Sequence, residues 1–256
     1  MDDKALPLTD HLSELRSRVG KILLAWGIAT GLAWTYSEEL FRVLLAPAIA
    51  ALGPDGGRLQ AISPAEIFFT YLKVALLAGF VLTVPVFFWQ IWAFVAPGLY
   101  PSEKRVALPF VLVASTLFVA GAVFAHQAVF PTVFSFFASF ESDFVEPAWT
   151  MREVFSMTTQ LVLAFGLCFE MPVLVFFLAL SGVVTPRQLF GWTKYAVLVS
   201  FVVAAVLTPT PDAVTQTLLA GPLVALYLLG VGVAWLFARK RDASAAETKS
   251  VATTTP

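Results

Sequence analysis

Apolar runs of about 20 residues alternate with short polar segments along this 256-residue chain. Runs of that length cross the ~30 Å hydrocarbon core of a bilayer as helices. The pattern predicts six spans, at about 19–36, 70–95, 106–129, 154–180, 195–207 and 214–237. Alternating barrel-type segments are absent, so helices must satisfy the backbone within lipid. The expected fold class is an all-α integral membrane protein, with one polytopic domain over residues 1–237. Residues 238–256 are polar and rich in Ala, Ser and Thr, and read as a disordered tail. The fifth span is short, because about 13 residues at 1.5 Å each reach only ~20 Å. The run Thr208-Pro209-Thr210-Pro211 then stops it. No internal repeat is visible, which weakens an inverted-repeat transporter reading.

Charge supplies orientation. Lys4, Arg16, Arg18 and Lys21 precede or open the first span, and Lys104 and Arg105 follow the second. Arg187 and Lys194 follow the fourth, and Arg239, Lys240 and Arg241 follow the sixth. The opposite side holds Arg42, Arg58 and Arg152, with Lys73 near a membrane end. Both termini are therefore expected in the cytoplasm. The opposite loops, 37–69 and 130–153, are larger and could pack as a cap.

Composition narrows the function. The chain is 59% apolar and carries a net charge of −1, which gives no reason to propose nucleic acid as a partner. It lacks a phosphate-binding G-x-x-x-x-G-K-[S/T] loop, so no nucleotide hydrolysis is expected. Cys168 is the single cysteine, which excludes an internal disulfide and a cysteine-based metal site. Asp2 and Asp3 stand where a cleavable signal would carry basic residues. No catalytic group, cofactor or metal is expected.

Three carboxylates stand out. Glu14 lies in His11-Leu12-Ser13-Glu14-Leu15-Arg16-Ser17-Arg18. As a helix, this segment pairs Glu14 with Arg18 at i,i+4, and the plain reading is an interfacial helix with its own ion pair. Glu103 follows Phe94-Val95-Ala96-Pro97-Gly98-Leu99-Tyr100-Pro101 and precedes Lys104-Arg105. It falls in a first helical turn opened by Pro101, where the dipole already favours an anion. Glu170 lies deep in the fourth span, where a charge costs about 2.5–3.5 kcal/mol on insertion scales. It must face a cavity, a partner or other helices, and Pro172 beside it should kink the span. Gln160 is a further polar residue on that span. Asp212 could cap the sixth helix, and Gln216 could bind another membrane helix. His126 reads as a packed, hydrogen-bonded histidine, and Gly27 and Gly31 as ordinary helix packing.

Together these segments resemble the TatC family, the multispanning receptor subunits of the twin-arginine protein translocase. The resemblance rests on His11-Leu12-x-Glu14-Leu15-Arg16-x-Arg18 and on Phe94-Val95-x-Pro97-Gly98-Leu99-Tyr100-x-x-Glu103-x-Arg105. Supporting matches are Ser63-Pro64-x-Glu66-x-Phe68 with Lys73, Phe165-Gly166-x-x-Phe169-Glu170-x-Pro172, and Leu207-Thr208-Pro209 with Pro211-Asp212 and Gln216. The matches run in order from residue 11 to about 237, and the ordered set is specific where each alone is weak. The Thr208–Asp212 turn is one residue longer than the common form of the family.

The resemblance implies six spans in a curved, glove-like arrangement in a bacterial cytoplasmic (inner) membrane. It implies binding of the twin-arginine signal peptides of folded precursors through Glu14 and Glu103. His11, Leu15, Arg16, Arg18, Phe94, Pro97, Tyr100 and Arg105 would support them. Glu170 and Gln160 would form an intramembrane polar site facing membrane lipid. Thr208, Asp212 and Gln216 would dock the single-span partners TatA and TatB, and Pro47 and Pro64 would be sensitive positions in the outer loop. The implied function is a non-enzymatic receptor and scaffold for proton-motive-force-driven export, as a homo-oligomer within a larger complex. A proton-coupled small-solute carrier using Glu170 is the rival reading, and an assembly scaffold without signal binding is the third.

Overall fold

The structure is a computed structural model, described here for residues 8–53, 58–95, 107–141, 148–180, 182–207 and 213–254. Among the described residues it is built from helices. They are α1 (Leu8–Trp34), α2 (Ser37–Ala51), α3 (Pro64–Val95), α4 (Ala107–Phe124), α5 (Phe130–Ala138), α6 (Met151–Cys168), α7 (Met171–Leu180), α8 (Pro186–Gly191), α9 (Thr193–Leu207) and α10 (Ala213–Thr254). A π-helical turn, Ala125–Val129, joins α4 to α5.

Among the described residues, four helical stretches are long and apolar enough to cross a membrane: Pro64–Phe94, Leu108–Ala138, Met151–Leu180 and Leu219–Ala238. α9 is apolar but shorter. In α1, Arg16, Arg18 and Lys21 leave only the later part continuously apolar. The third run extends beyond residue 129, through the π-turn and on to Ala138. α10 continues as helix to Thr254, past the residue at which the sequence reading begins a tail. Its Ala, Lys, Arg and Glu content favours helix. Residues 169–170 interrupt the fourth run. Pro172 has no N–H to give the carbonyl of Cys168, and the helix restarts as α7.

The chain divides into two compact units, Met1–Leu163 and Ala164–Pro256. In the first, α1 and α3 run antiparallel in close contact. Trp26 Nε1–H donates to the Leu76 carbonyl at 2.9 Å, and the Trp26 and Phe80 rings meet edge-on. A Cβ at Gly79 would stand 2.7 Å from the Thr30 backbone nitrogen, so only glycine permits this approach. Phe110 of α4 packs on Phe88 and Trp92 of α3. α2 buries Phe41, Leu45 and Ala48, one face of an amphipathic helix. The Phe41 ring lies edge-on to Tyr71 of α3.

The starts of α3 and α6 are joined. Gln60 N–H donates to the Trp149 carbonyl at 2.8 Å, and Met151 N–H to the Gln60 carbonyl at 2.9 Å. Glu66 adds a clasp, accepting from the N–H of Ile62 at 2.8 Å and of Arg152 at 3.0 Å. Ser63 Oγ in turn accepts from Glu66 N–H, which caps α3.

In the second unit, Val175, Val184, Leu189, Tyr227, Val231 and Ala234 form the core. Gly230 lets α10 lie against the Pro172 backbone of α7, where a Cβ would come within 2.8 Å. Tyr227 Oη–H donates to the Leu189 carbonyl at 2.7 Å, tying α10 to α8. Thr185 and Gln188 close a capping box at the start of α8.

Candidate functional site

Glu14 lies in the second turn of α1, and its position is set by Arg18 one turn later. Arg18 Nε donates to Glu14 Oε1 at 3.1 Å, and Nη2 makes a second, shorter contact to the same oxygen. The i,i+4 spacing makes this pair local. What makes it more than local is the rest of the guanidinium. Nη2 also donates to the Ala93 carbonyl at 2.9 Å, and Nη1 approaches Gln90 Oε1 at 3.5 Å. Arg18 therefore binds Glu14 to the last turns of α3. The side chains of Arg18 and Glu14 retain 19% and 30% of their exposure, so the carboxylate is held but open to an incoming group.

Gln90 and Ala93 are contributors that the sequence reading misses. Gln90 is visible as an isolated amide in an apolar run, but a backbone carbonyl such as that of Ala93 leaves no sequence signal. Arg16 and Leu15 are exposed beside the pair. Phe94 continues α3 past Ala93. Pro97, Tyr100, Glu103 and Arg105 lie outside the described residues, as does the side chain of His11.

The other expected positions fall elsewhere. Glu170 is half-buried at the interruption between α6 and α7, where its carbonyl accepts from Leu174 N–H at 3.0 Å. Gln160 is on the exposed face of α6 and lines a groove against α3. Gln216 Nε2–H donates to the Phe201 carbonyl at 3.0 Å, so it joins α10 to α9 within the chain. Thr208 and Asp212 lie outside the described residues. Pro47 is inside α2, and Pro64 opens α3 in the position where a missing N–H costs nothing. No cluster of His, Cys, Asp or Glu suited to a metal ion occurs among the described residues.

Long apolar helices, with a clasped carboxylate at one end of the first unit, define a multispanning membrane protein whose polar chemistry sits at helix ends. The family model described as "Sec-independent protein translocase protein (TatC)" matches residues 10–222. The Sec-independent protein translocase protein TatC of Desulforapulum autotrophicum is 41% identical over 255 residues, covering 98% of this chain and 94% of that protein. The protein of the same name from Magnetococcus marinus is 39% identical over 239 residues, covering 93% and 88%. A crystal structure of the twin arginine translocase receptor TatC superposes with a TM-score of 0.72 at 35% identity, covering 88% of this chain and 98% of that one. This chain belongs to the TatC family and is a membrane component of Sec-independent protein translocation.

Proposed function

We propose that this chain is the signal-peptide receptor and core scaffold of its Tat translocase, reading paired arginines through Glu14 and Glu103. The observation that carries this is the Arg18 clasp. A guanidinium already sits on Glu14 and is anchored to the Ala93 carbonyl, where α3 leads into the segment bearing Glu103. The resident Arg18 demonstrates the chemistry that an incoming arginine would use, and guanidinium pairs with carboxylate through directed, charge-assisted hydrogen bonds. A signal arginine would exchange with Arg18 on Glu14 while the second engages Glu103.

The same reading carries six spans, both termini in the cytoplasm, and residence in a bacterial inner membrane. It carries recruitment of TatA and TatB through the α9–α10 region around Thr208, Asp212 and Gln216. Export then draws on the proton-motive force, and the chain itself performs no catalysis. Support for these finer points comes from the lysine and arginine distribution, the ordered motifs and the family membership.

The test is binding of a fluorescent twin-arginine signal peptide to the purified protein in lipid nanodiscs, beside a twin-lysine version. Loss of one charge-assisted contact costs about 1.5–3 kcal/mol, so Glu14→Ala or Glu103→Ala should weaken binding by about 10- to 100-fold. The lysine peptide should bind more weakly, and added salt should lower the affinity. Equal binding by both peptides to wild type and to the double variant would overturn the receptor reading.

A further inference from the structure

At the end of the first unit opposite Glu14, α3 and α6 start side by side at the Gln60–Thr150 bridge and leave a groove between them. The groove has a volume of about 600 Å³, within the range of small-molecule sites. Its lining changes in character along the two helices. Arg152 and Glu153 line it from the first turn of α6. Thr70, Lys73, Ser156, Thr159 and Gln160 follow, and Leu77, Phe80 and Leu163 lie furthest along. A charged end thus grades through hydroxyls and an amide into hydrocarbon.

Two observations single this groove out. Lys73 and Arg152 form no salt bridge among the described residues, although Glu153 lies in the same lining and Arg152 is near enough to the Glu66 carboxylate to favour its charged form. They are also two of the few cations on the side that the charge pattern leaves poor in basic residues. In addition, Thr159 Oγ1 is buried without a hydrogen-bond partner among the described residues. Buried hydroxyls normally have partners, so this groove presents unused polar capacity.

Depth identifies the occupant. The Pro64–Phe94 stretch of 31 residues is about 46 Å long, so it overhangs a ~30 Å core by about 8 Å at each end. Lys73 lies about 13 Å along α3, some 5 Å inside that boundary, and its flexible stem lets the ammonium rise towards Arg152. The two cations then bracket the level of lipid phosphates. Thr159 and Gln160 lie about 12–14 Å along α6, level with the Lys73 backbone and below its raised ammonium, where they meet ester carbonyls, and Phe80 and Leu163 lie deeper, at the level of acyl chains.

We propose that this groove binds one anionic glycerophospholipid. Its phosphate lies between Lys73 and Arg152, its ester oxygens accept from Thr159 and Gln160, and one acyl chain lies along Leu77, Phe80 and Leu163. The polarity order of the groove matches that of the lipid, whereas a free inorganic anion would leave the apolar end unfilled.

Native mass spectrometry of the full chain in detergent tests this, with phosphatidylglycerol and phosphatidylcholine in competition. Retention of one phosphatidylglycerol in about tenfold preference is expected, with the preference lost in Lys73→Gln/Arg152→Gln and kept in Lys73→Arg/Arg152→Lys. Inorganic phosphate should not displace the lipid. Equal retention of both lipids by wild type, an unchanged preference in the glutamine variant, or displacement by phosphate would each overturn the proposal. A measurement on the wild-type chain makes the result independent of how the variants fold. Phosphatidylglycerol carrying a photoreactive acyl chain should crosslink at Leu77, Phe80 or Leu163, and crosslinks spread evenly over the apolar helix faces would sink it.

Discussion

His126 bonds through Nε2 to the carbonyl oxygen of Val43, 2.8 Å away and 83 residues earlier in the chain. Val43 lies one helical turn before Pro47, whose ring removes the N–H that would otherwise close that bond inside α2. His126 therefore supplies from the π-turn the donor that Pro47 lacks. A carbonyl only accepts, so Nε2 carries the proton. The ring also meets Phe130 edge-on.

The replacement His126→Phe should keep the ring but strand the Val43 carbonyl, costing about 1–3 kcal/mol. In a Pro47→Ala background α2 regains its own donor, and the same replacement should cost less. Thermal unfolding of the four proteins in detergent checks this, and additive losses would show that the two residues act separately.

Gly79→Ala should lower the melting temperature sharply, because its Cβ would overlap backbone atoms of Thr30. Gly27→Ala and Gly31→Ala should leave it unchanged, since nothing lies within 4 Å of either added Cβ. Among the described residues of the first unit, the G-x-x-x-G pattern does not serve the packing of α1. Any loss from those two variants should appear in assembly with other proteins, read by size-exclusion chromatography of the complex.

Arg18→Gln separates two roles. It breaks the tie from α1 to Ala93, so thermal stability should fall by about 1–3 kcal/mol. It also removes the resident competitor from Glu14, so signal-peptide affinity should hold or rise. A parallel loss of both would make Arg18 a direct part of the binding surface.

Glu66→Gln replaces a doubly accepting carboxylate with an amide that offers one acceptor oxygen. Ile62 and Arg152 N–H groups would compete for it, and the joined starts of α3 and α6 should loosen. Faster amide exchange at Ile62 and Arg152, with α10 unaffected, is the expected signature.

The long spans are legible in the sequence because an apolar run of bilayer length admits few other outcomes. Glu14 and Arg18 are legible as a pair because i,i+4 is a local rule. The anchoring of Arg18 is not, since its strongest tertiary partner is the Ala93 backbone. α2 and α5 escape the reading for a different reason. Each is short, α2 carries Pro47 within it, and their apolar faces make sense only against each other and α3. Glu66 passes as a motif letter until its distant backbone donor, the N–H of Arg152, is seen. Gln216 reads as a docking residue from sequence, yet within the chain it already serves Phe201.

The clasp at Gln60, Glu66 and Arg152 also bears on the order of events during synthesis. Glu66 and Arg152 are 86 residues apart in sequence, so the clasp closes a large loop. Helices α1 to α5 must leave the ribosome before its second half exists. Until Trp149 and Met151 arrive, the N–H and carbonyl of Gln60 ahead of α3 lack the partners they have in the finished fold. The first unit is thus completed by its last-made segment, and a nascent chain stopped short of residue 149 would hold its early helices without the stitch that fixes them.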